Sequence, residues 1–64
     1  MREFWIIGFG RVGQRALERL RRKSRGAAVT VVDPRYPDAP EALPPGIGWQ
    51  GEDGVAFLLR RLSG

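Results

Sequence analysis

The stretch Ile6-Ile7-Gly8-Phe9-Gly10-Arg11-Val12-Gly13-Gln14-Arg15-Ala16-Leu17 decides how the rest of the chain is read. Gly8, Gly10 and Gly13 fall in a G-x-G-x-x-G spacing directly after an apolar run. Three glycines within six positions break any regular element unless the chain turns sharply there. What lies on either side says what kind of turn it is.

Upstream, residues 3–8 (EFWIIG) are rich in residues that favour extended chain, and read as a strand. Phe4 and Ile6 point to one side and Trp5 and Ile7 to the other, so both faces are apolar. Such a strand belongs in a parallel sheet covered by helices. Downstream, residues 11–24 read as a helix. Val12, Ala16, Leu17 and Leu20 form its apolar stripe, Arg11, Arg15, Arg19 and Arg22 lie on another face, and Gly26 is the stop. Residues 27–33 (AAVTVVD) read as a second strand ended by Asp33-Pro34. Strand, helix and strand make a βαβ unit, for which a right-handed crossover and parallel strands are expected.

All five prolines fall between Pro34 and Pro45, which predicts a loop over 34–45 with room for a single turn at Pro40–Leu43. Residues 46–50 (GIGWQ) read as a short third strand. A helix is expected over 53–62, with Asp53 as cap, Val55, Leu58, Leu59 and Leu62 as the apolar face, and Arg60 and Arg61 at the end favoured by the helix dipole. The expected fold is therefore α/β: a truncated Rossmann-like βαβ-β-α unit, one domain spanning 1–64, with a three-stranded parallel sheet in the order 3-2-1.

In that setting the glycines have chemistry. A helix N-terminus offers unpaired N–H groups and partial positive charge to a pyrophosphate. Gly8 permits the strand-to-helix turn, Gly10 lets a phosphate approach the backbone, and Gly13 lets helix and strand pack closely. The amides of residues 9–13 make Phe9, Gly10, Arg11, Val12 and Gly13 candidate phosphate contacts. Asp33 lies 20 residues after Gly13, the separation expected of a carboxylate that accepts from the adenosine ribose. Pro34 and Arg35 stand beside it. Asp33 favours NAD (NADH or NAD+) over its 2′-phosphorylated form, Arg35 softens that preference, and ATP or AMP carries the same ribose. Each residue also has a purely architectural reading: the glycines as backbone geometry, Asp33 as a strand end, and Trp5 and Trp49 as core or interface.

Composition narrows the function. The 64 residues hold 11 Lys or Arg against 7 Asp or Glu, a net charge of +4, with no Cys and no His. Disulfides, thiolate metal sites and histidine general bases are thereby excluded. No acid–base pair stands against a substrate site, so turnover is not expected. Arg11, Arg15, Arg19, Arg21, Arg22, Lys23 and Arg25 face only Glu18 within residues 11–25, a basic block that favours anionic partners or serves as a solvated face. Nucleic acid is not expected, because aromatic interleaving and known binding motifs are missing. No apolar run suits a signal peptide or a membrane span, so a soluble, cytoplasmic protein without membrane insertion is expected.

The residues FWIIGFGRVGQRALERL and VTVVDPR resemble the N-terminal nucleotide-binding half of regulator-of-potassium-conductance domains, the cytoplasmic domains of potassium channels and Trk-type potassium-uptake systems. Gly8, Gly10, Arg11, Val12, Gly13 and Asp33 match the family pattern position by position. WQGEDGVAFL resembles the family's glycine–aspartate segment, with Gly51 matching and Glu52 in place of the aspartate. The resemblance implies a regulatory domain that binds NAD(H) or an adenine nucleotide and acts on a channel or transporter subunit. Members are longer and carry a helix where this chain has its proline-rich loop. Two other functions compete: the cofactor-binding fragment of an NAD-dependent dehydrogenase, and a degenerate scaffold acting through protein association. Because strand 1 lies at an open, apolar edge in this topology, a homodimer or docking on a larger partner is expected.

Overall fold

The computed structural model describes residues 2–63. The elements run β1 (Glu3–Ile7), α1 (Arg11–Lys23), β2 (Ala28–Val32), β3 (Gly48–Gln50) and α2 (Gly54–Ser63). The three strands form one sheet with β2 in the centre, and both pairings are parallel. Phe4 stands beside Val29 and Ile6 beside Val31 in the β1–β2 register; Val31 in turn stands beside Trp49. The sheet order, the parallel pairing and the five elements agree with the sequence expectation.

Alternation along β1 assigns the layers. Ile6 belongs to the core cluster with Phe9, Leu17, Val29 and Val31, which α1 covers through Leu17. Trp5 and Ile7 point the other way. Trp5 meets Phe57 of α2 edge to face at 5.4 Å, and a methyl on Gly54 would collide with Ile7. The helices thus lie on opposite faces of the sheet. Val31 and Val32 of the central strand are fully buried, one on each face, as a parallel sheet between helices requires.

Three glycines shape the connections. Gly8 has φ +94°, a conformation that β-carbon sterics deny to other residues, and it turns the chain out of β1 while its N–H still bonds the Val32 carbonyl at 2.7 Å. Gly26 at φ +84° ends the turn after α1, and Gly46 at φ +87° delays β3 until Gly48, so the third strand is shorter than the expected 46–50. The proline-rich segment forms a single turn, Leu43 N–H to the Pro40 carbonyl at 3.0 Å. It is held against β3 by the Trp49 indole, which donates to the Tyr36 carbonyl at 3.0 Å. Asp53 caps α2, accepting from the Ala56 N–H at 3.1 Å.

The apolar stripes of the helices need correction. On α1, Leu17 is buried and Leu20 packs at the margin, but Val12 is 82% exposed and Ala16 is also exposed. On α2 the anchor is Phe57, with Leu58 half-buried, while Val55, Leu59 and Leu62 are 65%, 65% and 75% exposed. The periodicity is there, but a sheet of three strands is too narrow to cover it. For the same reason β1, expected to bury both faces, buries only Ile6 fully.

Helix α1 approaches β1 most closely at Gly13. A methyl placed there would overlap the Gly8 carbonyl oxygen and press on Ile6 Cγ2. Gly13→Ala is expected to cost about 1–3 kcal/mol as an overpacking change. At Gly10 a methyl would meet only Arg35 Nη2, at an ordinary 3.7 Å, so Gly10→Ala should leave stability nearly unchanged. Thermal unfolding of the two variants, with a lower Tm for Gly13→Ala alone, checks this.

Candidate functional site

The strand-to-helix bend after β1 and the end of β2 meet at one carboxylate. Asp33 follows β2 directly and is 1% exposed, the one buried charged side chain among the described residues. A charge is retained in such a place only when its lone pairs are satisfied. Asp33 Oδ2 accepts from the Phe9 N–H at 2.7 Å and from Arg35 Nη2 at 2.9 Å. Its Oδ1 accepts from the Arg35 N–H at 2.8 Å and from Arg35 Nε at 3.2 Å. A carboxylate has room for about four donors, and the chain supplies four. The Arg35 side chain holds Asp33 well below the ordinary carboxylate range, burial opposes this, and the Phe9 and Arg35 amides add to the lowering. Arg35 in turn is raised by its bonds to Asp33.

The structure brings the sequence-identified residues to this junction in different roles. Gly8, Gly10 and Gly13 form the bend. Gly10 is the N-cap of α1, in extended conformation, and no side chain caps the helix. The Gln14 N–H is the first to find its helical acceptor, Gly10 O at 2.9 Å, so the amides of Arg11, Val12 and Gly13 have none within the helix. Phe9 contributes its backbone here, while its ring is buried in the core against Trp49, 5.8 Å away edge to face. The side chains of Arg11 and Val12 are exposed and line a groove along the free edge of β1 together with Gly8 and Gly10. Pro34 is exposed beside Asp33.

Arg35 is the residue whose role the sequence left least defined. Its guanidinium reaches back from the loop, pairs with Asp33, and comes close enough to Gly10 that a β-carbon there would be 3.7 Å from Nη2. It also lies over the Tyr36 ring at 5.6 Å. The cation therefore covers the acid that was expected to meet a ribose. With 59% of its side chain exposed, it has solvent to move into. The spacing Asp-Pro-Arg was legible in the sequence, but not that the arginine folds back onto the aspartate two residues before it.

The described residues contain no cluster of three or more Asp or Glu that suits a metal ion, and no helix among them is long and apolar enough to cross a membrane. No family model matches the chain, and no curated protein or solved structure matches it.

Since the folded state holds Asp33 below its usual range, the ionised carboxylate stabilises the fold above about pH 4–5, and that contribution is lost as pH falls further. Asp33→Asn should be less stable than the parent chain at pH 7, with the gap in Tm narrowing below about pH 4. Melting curves taken between neutral and acid pH test this; a gap that stays constant contradicts it.

Proposed function

We propose that this chain is a regulatory module of Rossmann type that binds NAD(H) or another adenine nucleotide, similar to the ligand-sensing domains of potassium channels and Trk-type uptake systems. One observation carries the reading: a glycine bend and an uncapped helix N-terminus lie beside a buried carboxylate at the end of the neighbouring strand, joined through the Phe9 N–H. Ligands of open parallel sheets bind outside the carboxyl ends of the strands, and this junction is such a place. A pyrophosphate would lie against the amides of Arg11, Val12 and Gly13, with Gly10 presenting no side chain in its way. The ribose hydroxyls would donate to Asp33 in place of the Arg35 side chain. The freed guanidinium would then stand beside phosphate. The module would act by shape or assembly, since a ligand shifts such an equilibrium by no more than its differential affinity for the two states.

The closed Asp33–Arg35 pair favours a second reading, a scaffold that keeps the bend and works through protein association without a nucleotide. Thermal shift separates the two. NADH, NAD+, NADPH, ATP and AMP are titrated in turn; a ligand present at 100 times its Kd stabilises by about 2.7 kcal/mol. Gly10→Val should abolish the response and Asp33→Ala should weaken it. Arg35→Gln should strengthen it for unphosphorylated riboses by removing the internal competitor. If none of the five ligands raises Tm in either the parent chain or Arg35→Gln, the scaffold reading stands.

A further inference from the structure

We propose that the free edge of β1 receives an extended segment of a partner chain, apolar at its centre and acidic at its flanks, which pairs as a fourth strand. The surface shares Gly8, Gly10, Arg11, Val12 and Gly13 with the glycine bend at one end and extends from there along β1 to Arg2 and Lys23; strand pairing at this edge does not depend on nucleotide binding.

The first support is the unpaired backbone. Strand β1 pairs with β2 alone. The Arg2 carbonyl accepts from Ala28, and the Gly8 N–H donates to Val32. The two-residue alternation of a strand therefore turns the backbone groups of Phe4 and Ile6 toward β2 and those of Glu3, Trp5 and Ile7 outward. The outward groups form a ladder ready for an added strand.

The second support is cover. Both helices pack on β1 itself, α1 through Gly13 against Ile6 and α2 through Phe57 and Gly54 against Trp5 and Ile7. Each leaves apolar side chains uncovered: Val12 and Ala16 on α1, and Val55, Leu59 and Leu62 on α2. Ile7 itself is 48% exposed. A strand laid along this edge would meet apolar side chains, so its centre must be apolar too.

The third support is charge, and it chooses the occupant. A groove of about 970 Å³ runs between the β1 edge and α1. Arg2, Arg11, Arg19 and Lys23 line it, and no carboxylate does. None of the four forms an ion pair among the described residues, whereas Glu3, at the start of β1, is already bound to Arg61. A second copy paired edge to edge would set these cations against their own counterparts. Basic residues along an edge are a common device against self-pairing. An acidic segment meets them with opposite charge.

The test uses two acetylated octapeptides with an alternating valine–isoleucine centre, one flanked by glutamate pairs and one by lysine pairs. With the acidic peptide at about 1 mM, enough to occupy a weak site, amide hydrogen exchange at Glu3, Trp5 and Ile7 should slow while the remaining strand amides change little. The lysine peptide should bind about tenfold more weakly, and Arg19→Glu with Lys23→Glu, which leaves the groove without net charge, should erase the preference. The proposal is overturned if those three amides stay unprotected, or if both peptides bind equally. Protection of the same amides by dimer formation without peptide, seen as doubled mass in light scattering, also overturns it by making a second copy the occupant.

Discussion

The fold depends on the Asp33 carboxylate more than on any other single group. It sits where both strand-to-loop junctions converge, and it accepts from an amide of each: Phe9 after β1 and Arg35 after β2. Without it, the Phe9 N–H would be buried with no acceptor, a loss of about 1–3 kcal/mol, and nothing else described would tie the glycine bend to the end of the central strand except the Gly8–Val32 backbone bond. Against the marginal net stability of folded proteins, that is a large share. The same geometry that steadies the bend also sets an acid beside the open amides of a helix, so architecture and candidate chemistry rest on one residue.

Much of this was legible in the sequence. The β-branched run from Val29 to Val32, the glycine spacing and the arginine-rich end of α1 specify two strands, a sharp turn and a helix through local physics alone. Asp33 could be placed beside the bend because a βαβ unit leaves the ends of adjacent parallel strands side by side. The back-folded Arg35 was not legible, because it depends on a side-chain conformation across two residues rather than on spacing. The start of β3 was misplaced by two residues because Gly46 adopts a left-handed turn, which sequence permits but does not require.

The apolar stripes failed for a different reason. A period of 3.6 finds the Leu17–Leu20 side of α1, but on α2 it selects Val55, Leu58, Leu59 and Leu62 and misses the buried anchor Phe57. It does not say how wide the opposite layer is. Full burial is confined to Leu17 on α1 and to Phe57 on α2. Val12 and Leu59 are apolar without cover, and Val12 lines the groove at the β1 edge.

Glu3 and Arg61 close the molecule. The carboxylate at the start of the first strand also holds the Trp5 indole at 2.8 Å, and Arg61 lies 5.4 Å from that ring, so opposite ends of the chain share one aromatic contact. No early portion of the polypeptide can therefore complete its own hydrophobic face: β1 has Ile6 covered by its neighbour α1, while Trp5 waits for a helix that begins almost fifty residues later. Acquisition of structure should be all-or-none, with the cost of closing this long loop met before the tryptophan is shielded.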